Sequence, residues 1–131
     1  MNLREWAETY VRHRDLFERR IAEIKEHAHG FTIVRKDGTE RHCFVKDVLT
    51  DELVPLLEDH LLIIDRNQKE NVEWVLRHWD RLAALPGLHI VFVNVEKNEK
   101  WVLAPHTHAR VADPETLRQG IEAMFGSVPE E

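Results

Sequence analysis

The chain has 131 residues, close to the commonest size for one domain, and its 43% hydrophobic and 32% charged residues exclude a disordered polymer. A formal net charge of −6 gives no general attraction for phosphate backbones or anionic lipid, so sequence-independent nucleic-acid binding is disfavoured. One cysteine, Cys43, excludes an internal disulfide. The opening Met1-Asn2-Leu3-Arg4-Glu5 has no apolar leader, and no apolar run approaches the ~18 residues of a membrane span, so a cytoplasmic protein without membrane contact is expected.

Leu3, Trp6, Tyr10, Phe17, Ile21 and Ile24 recur at helical steps and predict an amphipathic helix from about Leu3 to about His27. Arg14 is the one break in that stripe, and Gly30 closes the segment. Such a helix is roughly 37 Å long, enough to reach a second subunit. Arg12, Arg14, Arg19 and Arg20 leave room for a local basic patch.

Phe31–Arg35 and Glu40–Lys46 flank Asp37-Gly38, a signal for a two-residue hairpin turn. That turn would pair Arg35 with Glu40, Ile33 with His42 and Phe31 with Phe44, and would set Cys43 opposite Thr32. Thr50-Asp51-Glu52 predicts the capped start of a short helix ending near Glu58. His60–Asp65 and Leu88–Val95 are apolar, β-branched runs expected as strands buried on both faces. Between them, Val72, Val75, Leu76, Trp79, Leu82 and Ala83 mark a helix that begins at Asn67 or Gln68 and stops at Pro86-Gly87. Strand, helix, strand implies a parallel, right-handed crossover. After the turn Glu96–Glu99, Lys100–Ala104 is expected as a short antiparallel strand. Asp113-Pro114-Glu115 starts the last helix, which carries Leu117, Ile121, Met124 and Phe125 on its core face and ends at Gly126. The tail from Val128 is expected to be loose.

The fold class is therefore α/β: one domain over 1–131, a three-layer arrangement with a mixed five-stranded sheet and helices on both faces, in the order α-β-β-α-β-α-β-β-α. This order resembles the restriction-endonuclease-like superfamily, the PD-(D/E)XK nucleases and their inactive relatives, over about Leu3 to Ala104. In that family a helix precedes a three-stranded meander, and a further helix crosses to a fourth strand. The resemblance implies a divalent-cation site. A first acid sits near the second strand, and a second acid and a lysine sit two apart on the third. Counted on the strands expected here, Asp47 and Asp65 take the acid positions. Asn67 stands where the lysine is expected, with Lys69 or Lys46 as substitutes. The local alternative is that Asp47 caps a strand end while Asp65 and Asn67 start a helix.

Pro105-His106-Thr107-His108, read as extended, would aim His106 and His108 to one side as a transition-metal pair, with Asp113 or Asp65 completing the set. Solvent-exposed loop histidines are the plain alternative. His27 and His29 fit a helix C-terminus, where protonated histidine suits the dipole. Trp6 and Trp79 lie on core stripes, whereas Trp74 and Trp101 are candidates for a subunit contact. Cys43 is read as a small buried hydrophobe, since His42 beside it points to the other face.

Three functions follow. The first is a non-catalytic binding or assembly domain with a nuclease-like core and a homo-oligomeric or protein partner. The second is a nuclease using magnesium or manganese on Asp47 and Asp65. The third is a zinc-type site at His106 and His108. A divalent metal is the one cofactor type these readings invoke, and none is required by the first.

Overall fold

A computed structural model describes residues 1–110 and 113–131. It bears out the α/β class, with a mixed sheet of six strands rather than five. The extra strand comes from the segment expected to extend the first helix. Helix α1 (Leu3–Arg14) stops where Arg14 interrupts the apolar stripe. Asp15 then accepts the backbone N–H groups of Arg20 and Ile21 at 2.8 and 3.0 Å, and Arg19 turns through φ +50°. The chain re-emerges as strand β1 (Ile21–His27). Ile21, Ile24 and His27 are its half-buried positions, and an irregularity at Ile21/Glu23 accompanies a spacing of three that mimics a helix. The first helix is therefore 12 residues long, too short for the expected reach of roughly 37 Å to a second subunit.

Strands β2 (Gly30–Arg35) and β3 (Glu40–Lys46) form the expected hairpin one residue out of the expected register. Phe31 pairs with Cys43, Thr32 with His42 and Val34 with Glu40. Within the turn between the two strands, only Gly38 takes positive φ. Asp37 keeps a negative φ and accepts the Thr39 N–H at 2.9 Å, so the loop holds three residues instead of two.

Tight turns also fix the β1–β2 connection. Gly30 has φ +154°, and a Cβ there would lie 2.2 Å from the Cys43 carbonyl oxygen. Neighbouring strand backbone, not a flexible side chain, occupies that space. Gly30→Ala is expected to destabilise the chain by roughly 2–4 kcal/mol, measured as a drop in the urea midpoint with an unchanged slope.

The run after β3 folds as a short 3₁₀ helix (Asp51–Leu56) with Pro55 inside it. Strands β4 (Leu62–Arg66) and β5 (His89–Asn94) are parallel, as expected, and β6 (Glu99–Leu103) returns antiparallel. The crossover between β4 and β5 is two helices, α2 (Lys69–Arg77) and α3 (Trp79–Ala83), broken at His78. The His78 ring and the Trp74 indole N–H share the Asp51 carboxylate at 2.9 and 3.0 Å. Pro105–Ala109 forms a short helix, α4, where an extended segment was expected. Helix α5 (Pro114–Gly126) has the expected cap, with the Asp113 carboxylate accepting the Thr116 N–H at 2.9 Å.

Spatial order follows chain order from β1 to β6, with β3, β4 and β5 mutually parallel. Alternation along the strands splits the core in two. Cys43, Leu62, Ile64, Val91 and Val93 pack under α1 with Leu3, Trp6 and Ala7. Phe44, Ile63, Ile90, Phe92 and Trp101 pack under α2, α3 and α5 with Trp74, Leu82 and Ile121. Trp74 and Trp101 are 1% and 3% exposed, so neither is available for the subunit contact considered for it. No helix among the described residues is long and apolar enough to cross a membrane.

Candidate functional site

The C-terminal ends of parallel strands are where open α/β sheets place ligands, and here they carry Asp47, Asp65, Asn67, Lys46 and Lys69. In β4, Ile63 and Asp65 share one face, and Ile64 and Arg66 the other. Asp65 therefore faces α2, beside its ladder neighbours Lys46 and Phe92. Arg66 faces α1 and holds Asp47 at 2.6 Å, where both line a cleft with Leu3 and Val45. The structure thus does not bring the two carboxylates to one place.

Their electrostatics differ accordingly. Asp65 is fully buried, and neither carboxyl oxygen has a hydrogen-bond partner within bonding geometry. Burial holds its pKa well above the ordinary carboxylate value, and the nearby Asn71 amide offsets little of that rise. Asp47 is exposed and ion-paired.

Neither lysine substitute serves both acids. Lys46 reaches out to Glu52 at 3.6 Å, and Lys69 is exposed on the first turn of α2. Asn67, in the expected lysine position, is fully buried. Its amide donates to the carbonyls of Phe125, Val128 and Pro129 at 3.3, 3.0 and 3.4 Å, and its Oδ1 accepts the Trp101 indole N–H at 2.8 Å. Asn94 also donates to the Pro129 carbonyl, at 3.1 Å, and Arg66 holds Glu131 at 2.5 Å. The segment expected to be loose is instead strapped across the ends of β4 and β5.

Asn71 performs a second clamp. It donates to the carbonyls of Asp47 and Arg66 at 2.9 and 3.0 Å and accepts the Leu49 N–H at 2.9 Å. Neither clamp is among the roles expected from the sequence. Two asparagines four apart at a strand-to-helix junction are the signal available for them, because a buried amide there serves several orphaned backbone groups at once.

The histidines also fall differently. His106 and His108 lie two apart on α4, about 200° around a helix. His106 donates to the Ala83 carbonyl and His108 to that of Ala104, each at 2.8 Å. His27 and His29 belong to a strand end and its turn, not to a helix terminus, and their rings stand 6.0 and 5.5 Å from Phe44. His42 lies 5.9 Å from His27. Burial, reinforced by the charges of His42 and His29, lowers the His27 pKa. Among the described residues no group of three or more His, Cys, Asp or Glu side chains is arranged to hold a metal ion. The divalent cation implied by the nuclease resemblance does not fit the residues present. Cys43 is buried, and burial pushes its thiol up to about 12, as suits a core hydrophobe.

No family model, curated protein or solved structure matches the chain.

Proposed function

We propose that the chain is a non-catalytic binding or assembly domain built on a nuclease-like core. The observation that carries this reading is the separation of Asp47, just after β3, and Asp65, in β4, onto opposite faces of the sheet, with Asn67 committed to the C-terminal strap. Cleavage of a phosphodiester through a divalent cation needs both acids on that cation and a lysine beside the attacking water.

The observed meander supports the same reading. With β1 included, the third strand is β3, and the residue two before Lys46 is Phe44, buried under α2. An apolar ring stands where the pattern asks for an acid. Phe17 is 99% exposed and Leu16 57% exposed on the loop between α1 and β1. An aromatic ring with no packing inside its own chain fits contact with a second one.

Incubation of purified protein with single- and double-stranded DNA and with RNA, in magnesium and in manganese, tests the reading. Any cleavage is expected to persist unchanged in Asp47→Ala and Asp65→Ala, as a contaminant's would. Cleavage abolished by both substitutions would overturn it.

A further inference from the structure

The end of the sheet opposite Asp65 gathers positive charge. Arg14 closes α1, Arg20 precedes β1, Arg35 ends β2 and Arg41 lies at the start of β3. With Tyr10 they line a cleft of about 220 Å³, whose apolar wall includes Ile33 and Leu62.

That charge is not balanced locally. Two acids line the cleft, and both are engaged. Asp15 spends its oxygens on backbone N–H groups, and Glu18 pairs with Arg20 at 3.3 Å. Among the described residues, Arg14, Arg35 and Arg41 pair with no carboxylate. Arg14 donates to the Tyr10 hydroxyl at 2.8 Å, and Arg35 reaches the Thr39 hydroxyl at 3.5 Å. Arg41 is half-buried and donates to the carbonyls of His60 and Gly87 at 2.7 and 3.2 Å. Its pKa is lowered by burial first, then by the charges of Arg35 and Arg14. Like charges brought together in a partly desolvated cleft oppose folding unless an anion completes them.

We propose that this cleft binds a phosphate monoester, the phosphoryl group held by Arg14, Arg35 and Arg41 and the organic portion lying on the apolar wall. Four guanidinium groups against two carboxylates leave an excess of two positive charges, which a phosphoryl dianion neutralises. The guanidinium groups of Arg14 and Arg35 match phosphate oxygens. Arg41 adds its charge and its remaining Nη1, because its Nε and Nη2 are held by His60, Gly87 and His89. The volume admits a phosphoryl group with a few further atoms. The ester is supplied by a small phosphorylated metabolite or by a phosphorylated side chain of a partner protein. The proposal goes beyond the non-catalytic reading and is independent of it, because the cleft opens at the end of the sheet opposite Asp47 and Asp65 and includes neither.

The test follows backbone amide resonances of the whole chain as inorganic phosphate replaces chloride at constant ionic strength. Saturable shifts are expected at Asp15, Ile21 and Arg35, with half-saturation at about 1 mM. The Arg14→Gln/Arg35→Gln double variant, which spares Arg41 and its backbone carbonyls, is expected to bind at least about tenfold more weakly with the rest of its spectrum unchanged. Arg118→Gln, on α5, is expected to bind as the parent does. A phosphoserine peptide binding more tightly than phosphate would assign the ester to a protein partner, and a sugar phosphate doing so would assign it to a metabolite. Either result supports the proposal. Absence of saturable shifts, equal binding by the double variant, or shifts produced only by a single-stranded oligonucleotide would overturn it.

Discussion

Asp65→Asn is expected to change the pH dependence of stability more than any other single substitution in the chain. In the unfolded chain Asp65 ionises near the model-compound value of 3.8, and in the fold burial raises that pKa well above it. Between the two values the folded state carries one proton more than the unfolded state. Raising the pH therefore favours unfolding. The contribution is fully present below the unfolded value and is lost as pH climbs through the folded one, at about 1.4 kcal/mol per pH unit. Asparagine cannot ionise, so the variant lacks this loss. Urea denaturation at intervals from pH 4 upward should show the variant gaining on the parent as pH rises, until the folded value is passed and the gain levels off. Parallel pH profiles would show that burial does not raise the Asp65 pKa.

Asn67→Ala is expected to cost about 2–4 kcal/mol, because it leaves the Trp101 indole N–H and the carbonyls of Phe125, Val128 and Pro129 without their shared partner. The loss should be accompanied by release of the strap. The Glu131 N–H, which donates to the Asn67 carbonyl at 3.0 Å, and the Val95 N–H, which donates to the Glu131 carboxylate at 3.3 Å, should exchange with solvent far faster. A loss under about 1 kcal/mol with exchange unchanged would mean that Val128 and the helix before it hold the strap unaided.

Much of the fold was legible because its strongest signals are local. Unbroken β-branched runs marked β4 and β5, and Asp113-Pro114 marked the start of α5. The first strand was hidden by its own residues. Ile21 and Ile24 are three apart in an irregular edge strand, and only Arg14 and the acid after it betrayed the end of α1. The hairpin slipped one residue because a two-residue turn needs positive φ at Asp37, and the Asp37 carboxylate finds a better use on Thr39.

The candidate site was harder to read for a different reason. Whether Asp47 and Asp65 meet depends on strand parity at the ends of β3 and β4, and parity is set by a pairing register that spans distant residues. The sequence places both acids at the correct end of the sheet but cannot assign their faces. The arginine cleft escaped for a similar reason. Arg14 and Arg20 were visible as a basic cluster, while Arg35 and Arg41 join them only once β2 and β3 are folded against α1.

The central claim is that Asp47 and Asp65 do not share a cation. Its most direct test is calorimetric titration of chelator-stripped protein with manganese and with zinc, repeated on Asp47→Ala and Asp65→Ala. Heats that are identical in the parent and both variants are the predicted result. Stoichiometric binding by the parent that disappears in each variant would contradict the account and restore a metal-dependent nuclease.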